Sequence, residues 1–251
     1  MNKIEIIKES SPDKPFLIIY KPKGLASAPL SADDKDNALA QALELFPQIK
    51  NVKGKKDIEY GLLHRLDTVT DGLMIIAATQ ECYDFLMEEQ ALGKITKYYH
   101  ALCNFNPANT KELSGFPPSS VNLNKIKKDQ IITLESYFRP FGKGNKEVRP
   151  VSPQSNKAAL DKVGKKKLYQ TQVKILSNTD KGVKVECKIS QGFRHQVRCH
   201  LAWAGLPIQN DPIYNLDKKN AEEPIKFSAT KIEFEYPRGD LNSYDRKDTW
   251  T

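Results

Sequence analysis

The hydrophobic pattern changes period several times along the chain. A continuous apolar run, Phe16 to Tyr20, is stopped by Lys21-Pro22-Lys23-Gly24, which predicts a buried strand running into a turn. Between Asp36 and Phe46, Ala38, Leu39, Ala42, Leu43, Leu45 and Phe46 recur at helical spacing, so a helix is expected there. Residues 58–78 read as a short strand, a polar turn over 68–72 and a buried strand over 73–78. Helical spacing returns from Gln80 to Leu92, with Tyr83, Leu86 and Met87 inward and Gly93 as the stop. Residues 97–103 resume strand character.

From Asn104 to Lys167 the pattern weakens. Pro107, Pro140, Pro150 and Pro153 interrupt it, and Lys125, Lys127, Lys128, Lys143, Lys146 and Lys165 load it with charge, so short strands on long basic loops are expected. Strands return over 168–176 and 183–190. A helix follows from about Phe193 to Ala204, terminated by Gly205 and Pro207, and a last strand covers 231–236. The chain divides on this reading into a polar lead-in, 1–15, one folded domain, 16–237, and a charged tail, 238–251.

Composition adds a partner. With 39 Lys+Arg against 31 Asp+Glu the net charge is +8, and such an excess favours an anionic partner, nucleic acid first, because basic clusters displace the counterions condensed on phosphates. Hydrophobic residues at 39% fit a folded globular protein, and no apolar run reaches the roughly 20 residues of a membrane span. The opening segment lacks the apolar core of a secretory signal, so a cytoplasmic protein without membrane contact is expected. Cys82, Cys103, Cys187 and Cys199 are widely spaced and read as reduced structural thiols; no four-ligand metal set stands at zinc spacing.

Two segments carry candidate chemistry. GLLHRLDTVTDGLMIIA places His64, Arg65 and Asp67 at the entrance to a polar turn, and a carboxylate kept ionised by a neighbouring arginine can act as nucleophile or base without a cofactor. The order His-Arg-Leu-Asp is not the kinase His-Arg-Asp-Leu, and no glycine-rich phosphate loop accompanies it. In QGFRHQVRCHLAWAGLPIQNDPIY, Arg194 and Arg198 lie four residues apart, so on a helix beginning near Gly192 they would share a face able to clamp a carboxylate or phosphate. The plainer reading is a solvated arginine pair.

FLIIYKPKGLASAP, GLLHRLDTVTDGLMIIA, KYYHAL and QGFRHQVRCHLAWAGLPIQNDPIY, in this order from Phe16 to Pro237, resemble the sequence elements of the RluA-type pseudouridine synthases. The resemblance implies an α+β pseudouridine synthase fold, a mixed and mostly antiparallel sheet with flanking helices and a central basic cleft. It also implies isomerisation of uridine in structured RNA, ribosomal or transfer, with no cofactor and no metal. Asp67 would be the essential carboxylate, attacking covalently or abstracting a ribose proton. Tyr99 would stack on the uracil and Arg198 would pair with Asp67. Arg65 would fill the gap left by the flipped nucleotide, and Lys21, His64, Arg194 and His195 would contact RNA; Lys21 could equally be structural. The sequence departs from the family pattern where Phe193-Arg194 shifts an arginine by one place and where Asn210 precedes Asp211. The resemblance also leads one to expect a catalytic domain without an S4-like module. A catalytically silent RNA-binding or assembly protein of the same fold, and a carboxylate-based nucleoside hydrolase, are the competing functions.

Overall fold

A computed structural model describes residues 2–106, 113–118, 127–163, 166–217, 222–248 and 250. Lys125, Lys165 and Pro107 lie outside them. The chain divides into two compact units, one of residues 1–97 with 228–251, the other of residues 98–227.

In the first unit the strands β1 (Glu5–Lys8), β2 (Phe16–Lys21), β3 (Asp71–Ala77) and β9 (Phe227–Glu235) lie in the order β1-β2-β3-β9, and β10 (Leu241–Asp245) also pairs with β9. All neighbours are antiparallel except β3 and β9, which run parallel. Every residue of β3 is buried, the outcome expected of an unbroken apolar run covered on both faces. Helix α2 (Gln80–Ala91) buries Cys82, Tyr83 and Leu86 in a cluster that includes Leu73, Ile75 and Phe234. Its first turn is capped by Thr79, whose hydroxyl accepts the Cys82 N–H at 3.3 Å. Helix α1 (Ala38–Leu45) buries Ala38, Leu39, Ala42 and Leu43 and is capped by Asn37.

The second unit holds β4 (Thr96–Cys103, from Tyr98 onward), β5 (Ile131–Phe141), β6 (Glu147–Val151), β7 (Tyr169–Thr179) and β8 (Gly182–Ile189), in the order β4-β8-β7-β5-β6. A single helical turn, α3 (Lys157–Leu160), and the helix α4 (Gln196–Trp203) complete its regular elements. Phe138, Val148, Tyr169, Cys199, Ala202 and Tyr214 form its core cluster. All four cysteines are free and buried. The fold is thus α+β with a mostly antiparallel sheet. No helix among the described residues is long and apolar enough to cross a membrane.

Four local expectations are corrected. Residues 61–63 form no strand: Gly61 and Leu63 exchange single backbone hydrogen bonds with Ala77 and Ile75 as an extended segment beside β3. The helix near 193 starts at Gln196, because His195 adopts left-handed backbone geometry, φ 56°. β5 is an 11-residue strand rather than a short one. Strands β1 and β10 occupy the stretches read as a lead-in and a tail.

Candidate active site

The segment carrying Asp67 is held by the backbone on both sides. Ser27, 4% exposed, donates its hydroxyl to the Leu66 carbonyl at 2.7 Å and accepts the Leu66 N–H at 2.9 Å, so one side chain satisfies both polar groups of the preceding residue. Gly24 N–H donates to the Thr68 carbonyl at 2.8 Å, and Thr70 N–H closes a turn onto the Asp67 carbonyl at 2.9 Å. Upstream, Gly61 runs so close to β3 that a Cβ there would stand 2.0 Å from the Ala77 carbonyl oxygen. The K-P-K-G-L-A-S segment therefore serves as a brace for Asp67, which is half-buried.

Lys21 is fully buried and donates to the Leu25 carbonyl at 2.7 Å and the Pro22 carbonyl at 3.1 Å. Burial lowers its pKa to about 8 against the opposing attraction of Asp71 and Asp67. Spent on its own turn, this ammonium fits a structural role for Lys21 better than the expected RNA contact. Asp71, 1% exposed, accepts from Tyr20 Oη at 2.7 Å and Ser228 Oγ at 2.8 Å and pairs with Lys23 Nζ at 3.2 Å. That carboxylate ties β2, β3 and β9 together beneath the Asp67 turn.

His64 is half-buried, and its Nε2 accepts the Ile75 N–H at 3.3 Å. Burial, reinforced by the positive charge of Lys97, holds its pKa well below the usual histidine value, so the ring is neutral at pH 7. A neutral ring with Nε2 occupied has a single N–H, on Nδ1, to offer RNA; it is not a phosphate-binding cation. Lys97 is itself buried, donates to Gln90 Oε1 at 3.0 Å and is lowered by burial to about 8. Arg65 is exposed and lies 3.4 Å from Glu59 Oε1.

In the second unit, Tyr99 is 8% exposed and stacks on Phe227, centroids 5.2 Å apart and rings 13° from parallel. Arg198, 2% exposed, binds Asp211 through two parallel bonds, Nε to Oδ2 at 2.8 Å and Nη2 to Oδ1 at 2.9 Å. Burial acts to raise the Asp211 pKa, but the Arg198 bonds and charge, with the Tyr214 and Ile213 N–H donors, outweigh it and hold the carboxyl below its ordinary value. Arg198 is thus a rigidly oriented cation.

All eight residues of α4 are buried, so the solvated arginine pair is excluded. Arg194 precedes the helix, is exposed, and donates to the carbonyls of Asn145 and Glu147; it shares no helical face with Arg198. His195 Nδ1 lies 3.0 Å from Tyr214 Oη. His200 is a core histidine, bonded to Ser136 and Thr171 at 2.9 and 2.8 Å and lowered by burial to about 3.

Residues 15–203 match the RNA pseudouridylate synthase family. The chain belongs to that family. An "uncharacterized RNA pseudouridine synthase" of Mycoplasma pneumoniae is 27% identical over 232 residues, 90% of this chain and 61% of the relative. "Ribosomal large subunit pseudouridine synthase D" of Zymomonas mobilis is 26% identical over 220 residues, 86% of this chain and 57% of the relative. The chain therefore spans about three fifths of the length of these curated relatives. The solved structure of human RNA pseudouridylate synthase domain containing 1 shares the fold, with a TM-score of 0.67 at 18% identity, covering 100% of this chain and 85% of that one.

Within this pseudouridylate synthase framework, the units supply different candidates. The first brings Lys21, His64, Arg65 and Asp67 onto one braced loop system; the second carries Tyr99, Arg194, His195 and Arg198. Sequence reasoning missed three supporting residues. Ser27 carried no signal of its own, and Asp71 lay within the polar turn read over 68–72. Asp211 had a signal, since a lone acid 13 residues beyond Arg198 in an otherwise apolar stretch has to find a cation if it is buried.

Proposed function

We propose that the chain is an RNA pseudouridine synthase acting on uridine in structured RNA. Large-subunit ribosomal RNA is the first candidate, because several relatives are named for it, and transfer RNA is the second. The reaction breaks the uridine N1–C1′ bond, turns the detached uracil and joins C5 to C1′; the C5 proton leaves and N1 gains one. No oxidant, reductant or second substrate is needed. The protein works in the cytoplasm, where such RNA is made and matured.

The reading is carried by Asp67. Of the motif carboxylates, Asp71 and Asp211 are buried and engaged with scaffold donors, whereas Asp67 is half-buried on a loop fixed from Leu66 and from Thr68. Both the covalent and the proton-abstraction route require a carboxylate that is reachable and immobile. Arg198, held in one orientation by the two bonds to Asp211, is the matched family arginine and supplies a fixed cation in its own unit. Tyr99, stacked on Phe227, is the matched family tyrosine and would stack on the uracil. The target nucleotide swings out of its stack at a cost of a few kcal/mol, and exposed Arg65 fills the space it leaves. Arg194 and His195 flank the RNA backbone.

The test is Asp67→Asn, assayed by tritium release from RNA transcribed with 5-tritiated uridine. Turnover is lost while RNA binding persists. Full activity in the variant would refute the role of Asp67. A wild-type chain that binds RNA but releases no tritium would favour the silent binding protein, and release of free uracil would mark a hydrolase.

A further inference from the structure

Thr70 is 2% exposed, and its hydroxyl oxygen has no hydrogen-bond partner. Among the described residues two other buried side-chain atoms share this condition, Tyr83 Oη and Glu89 Oε2, and both lie on α2. Thr70 instead ends the four-residue turn that begins at Asp67, its N–H donating to the Asp67 carbonyl at 2.9 Å. A buried hydroxyl with no partner is a net cost to folding, and valine has nearly its shape without that cost. A hydroxyl retained at such a position calls for a role that the resting structure does not display.

We infer that Thr70 is a positioning residue for the reaction. Its hydroxyl turns about χ1 to donate a hydrogen bond to the Asp67 carboxylate once substrate occupies the site, fixing which oxygen faces the sugar. The two residues are the ends of one hydrogen-bonded turn whose backbone is held by Ser27 and Gly24. A donor aimed at an ionised acceptor is stronger than one between neutral groups, so it sharpens the geometry of Asp67 where charge is being redistributed. The inference rests on Asp67 being the reacting carboxylate.

The test uses the full chain as Thr70→Val, Thr70→Ser, Thr70→Ala and Asp67→Asn, with ribosomal RNA transcribed in vitro with 5-tritiated uridine. Single-turnover tritium release, RNA affinity and thermal midpoint are measured for each. Thr70→Val is expected to bind RNA within twofold of wild type and to melt no lower, while tritium release slows about tenfold, the size of one lost hydrogen bond to a charged group. Thr70→Ser, which keeps the hydroxyl and drops the methyl, restores the rate that Thr70→Ala loses. Wild-type release by Thr70→Val overturns the inference, as does an equal rate in the Ser and Ala variants; the first result with an inactive Asp67→Asn leaves the role of Asp67 standing. Undiminished release by Asp67→Asn brings down the reading on which the inference rests.

Discussion

Replacing Ser27 by alanine isolates the brace behind Asp67. The hydroxyl makes two hydrogen bonds, at 2.7 and 2.9 Å, to the carbonyl and N–H of Leu66, which is 7% exposed. Removing it forfeits both bonds, each worth about 1 kcal/mol net, and leaves two buried backbone groups to find water or go unpaired; the total is about 3 kcal/mol. For a chain of this size that lowers the thermal midpoint by roughly 6–12 °C. Asp67 follows Leu66 directly, and a misplacement of about 1 Å at a reacting group is worth roughly 100-fold in rate. The expected result is a 10- to 100-fold fall in kcat, about 1.4–2.8 kcal/mol of barrier, with RNA affinity nearly unchanged. Circular dichroism melts and tritium-release kinetics read the two effects separately. A variant that melts within 2 °C of wild type (below the roughly 6 °C expected) and turns over normally would refute the brace. One that is destabilised yet fully active would show that Ser27 holds the fold without holding Asp67.

Two further predictions concern buried titrating groups. Asp211 has a depressed pKa in the folded chain, so the stability it confers is present above the unfolded carboxylate value of about 3.9 and is lost as pH falls through its folded value. Asp211→Asn should be about 3–5 kcal/mol less stable than wild type at pH 7, because it leaves Arg198 buried without its charge partner, and urea titrations should show this gap narrowing below about pH 4. His200 is neutral in the fold with its pKa lowered by burial to about 3. Between that value and the unfolded value near 6.5 only the unfolded chain takes up the proton, so stability should rise with pH by about 1.4 kcal/mol per unit from this residue. That part of the slope should be absent in His200→Asn; an unchanged slope would show that His200 is protonated in the fold.

What the sequence made legible follows from how strongly each segment is patterned. β2 and β3 are unbroken apolar runs, and α1 and α2 have clear caps and one apolar stripe, so their positions are readable within a residue or two. β5 keeps strict alternation of buried and exposed positions through Phe138, but Pro140 and the surrounding lysines masked its length. β1 and β10 are short strands with few buried residues, each paired to the strand next to it in sequence, so neither carries the apolar run or alternation that marks a strand. The helix α4 was expected where it stands, but its start and its inward faces were not readable. The left-handed backbone of His195 sets the start, and burial on every side removes the amphipathic contrast, so the partners of Arg198 and His200, Asp211, Ser136 and Thr171, could not be read from a stripe.

The same logic explains why charge type alone does not tell a structural Lys21 from an RNA-binding one. Two lysines flank Pro22, and sequence offers no means of telling which is inside. In the fold Lys21 is the inward residue of β2, opposite Gly72, whose missing side chain also lets the backbone run beside Ala229. Lys23 stands beyond the turn, paired with Asp71 and still one-fifth exposed. The polar residues of this loop system are thereby sorted by depth: Lys21 and Asp71 are sealed and spent on structure, whereas Asp67 and Arg65 stay within reach of solvent. A site that must present one carboxylate to a large, anionic, flipped-out substrate needs that sorting, because any second reachable acid beside the first would repel the phosphates that deliver it. The burial of Asp71 is therefore as much a part of the proposed chemistry as the partial exposure of Asp67.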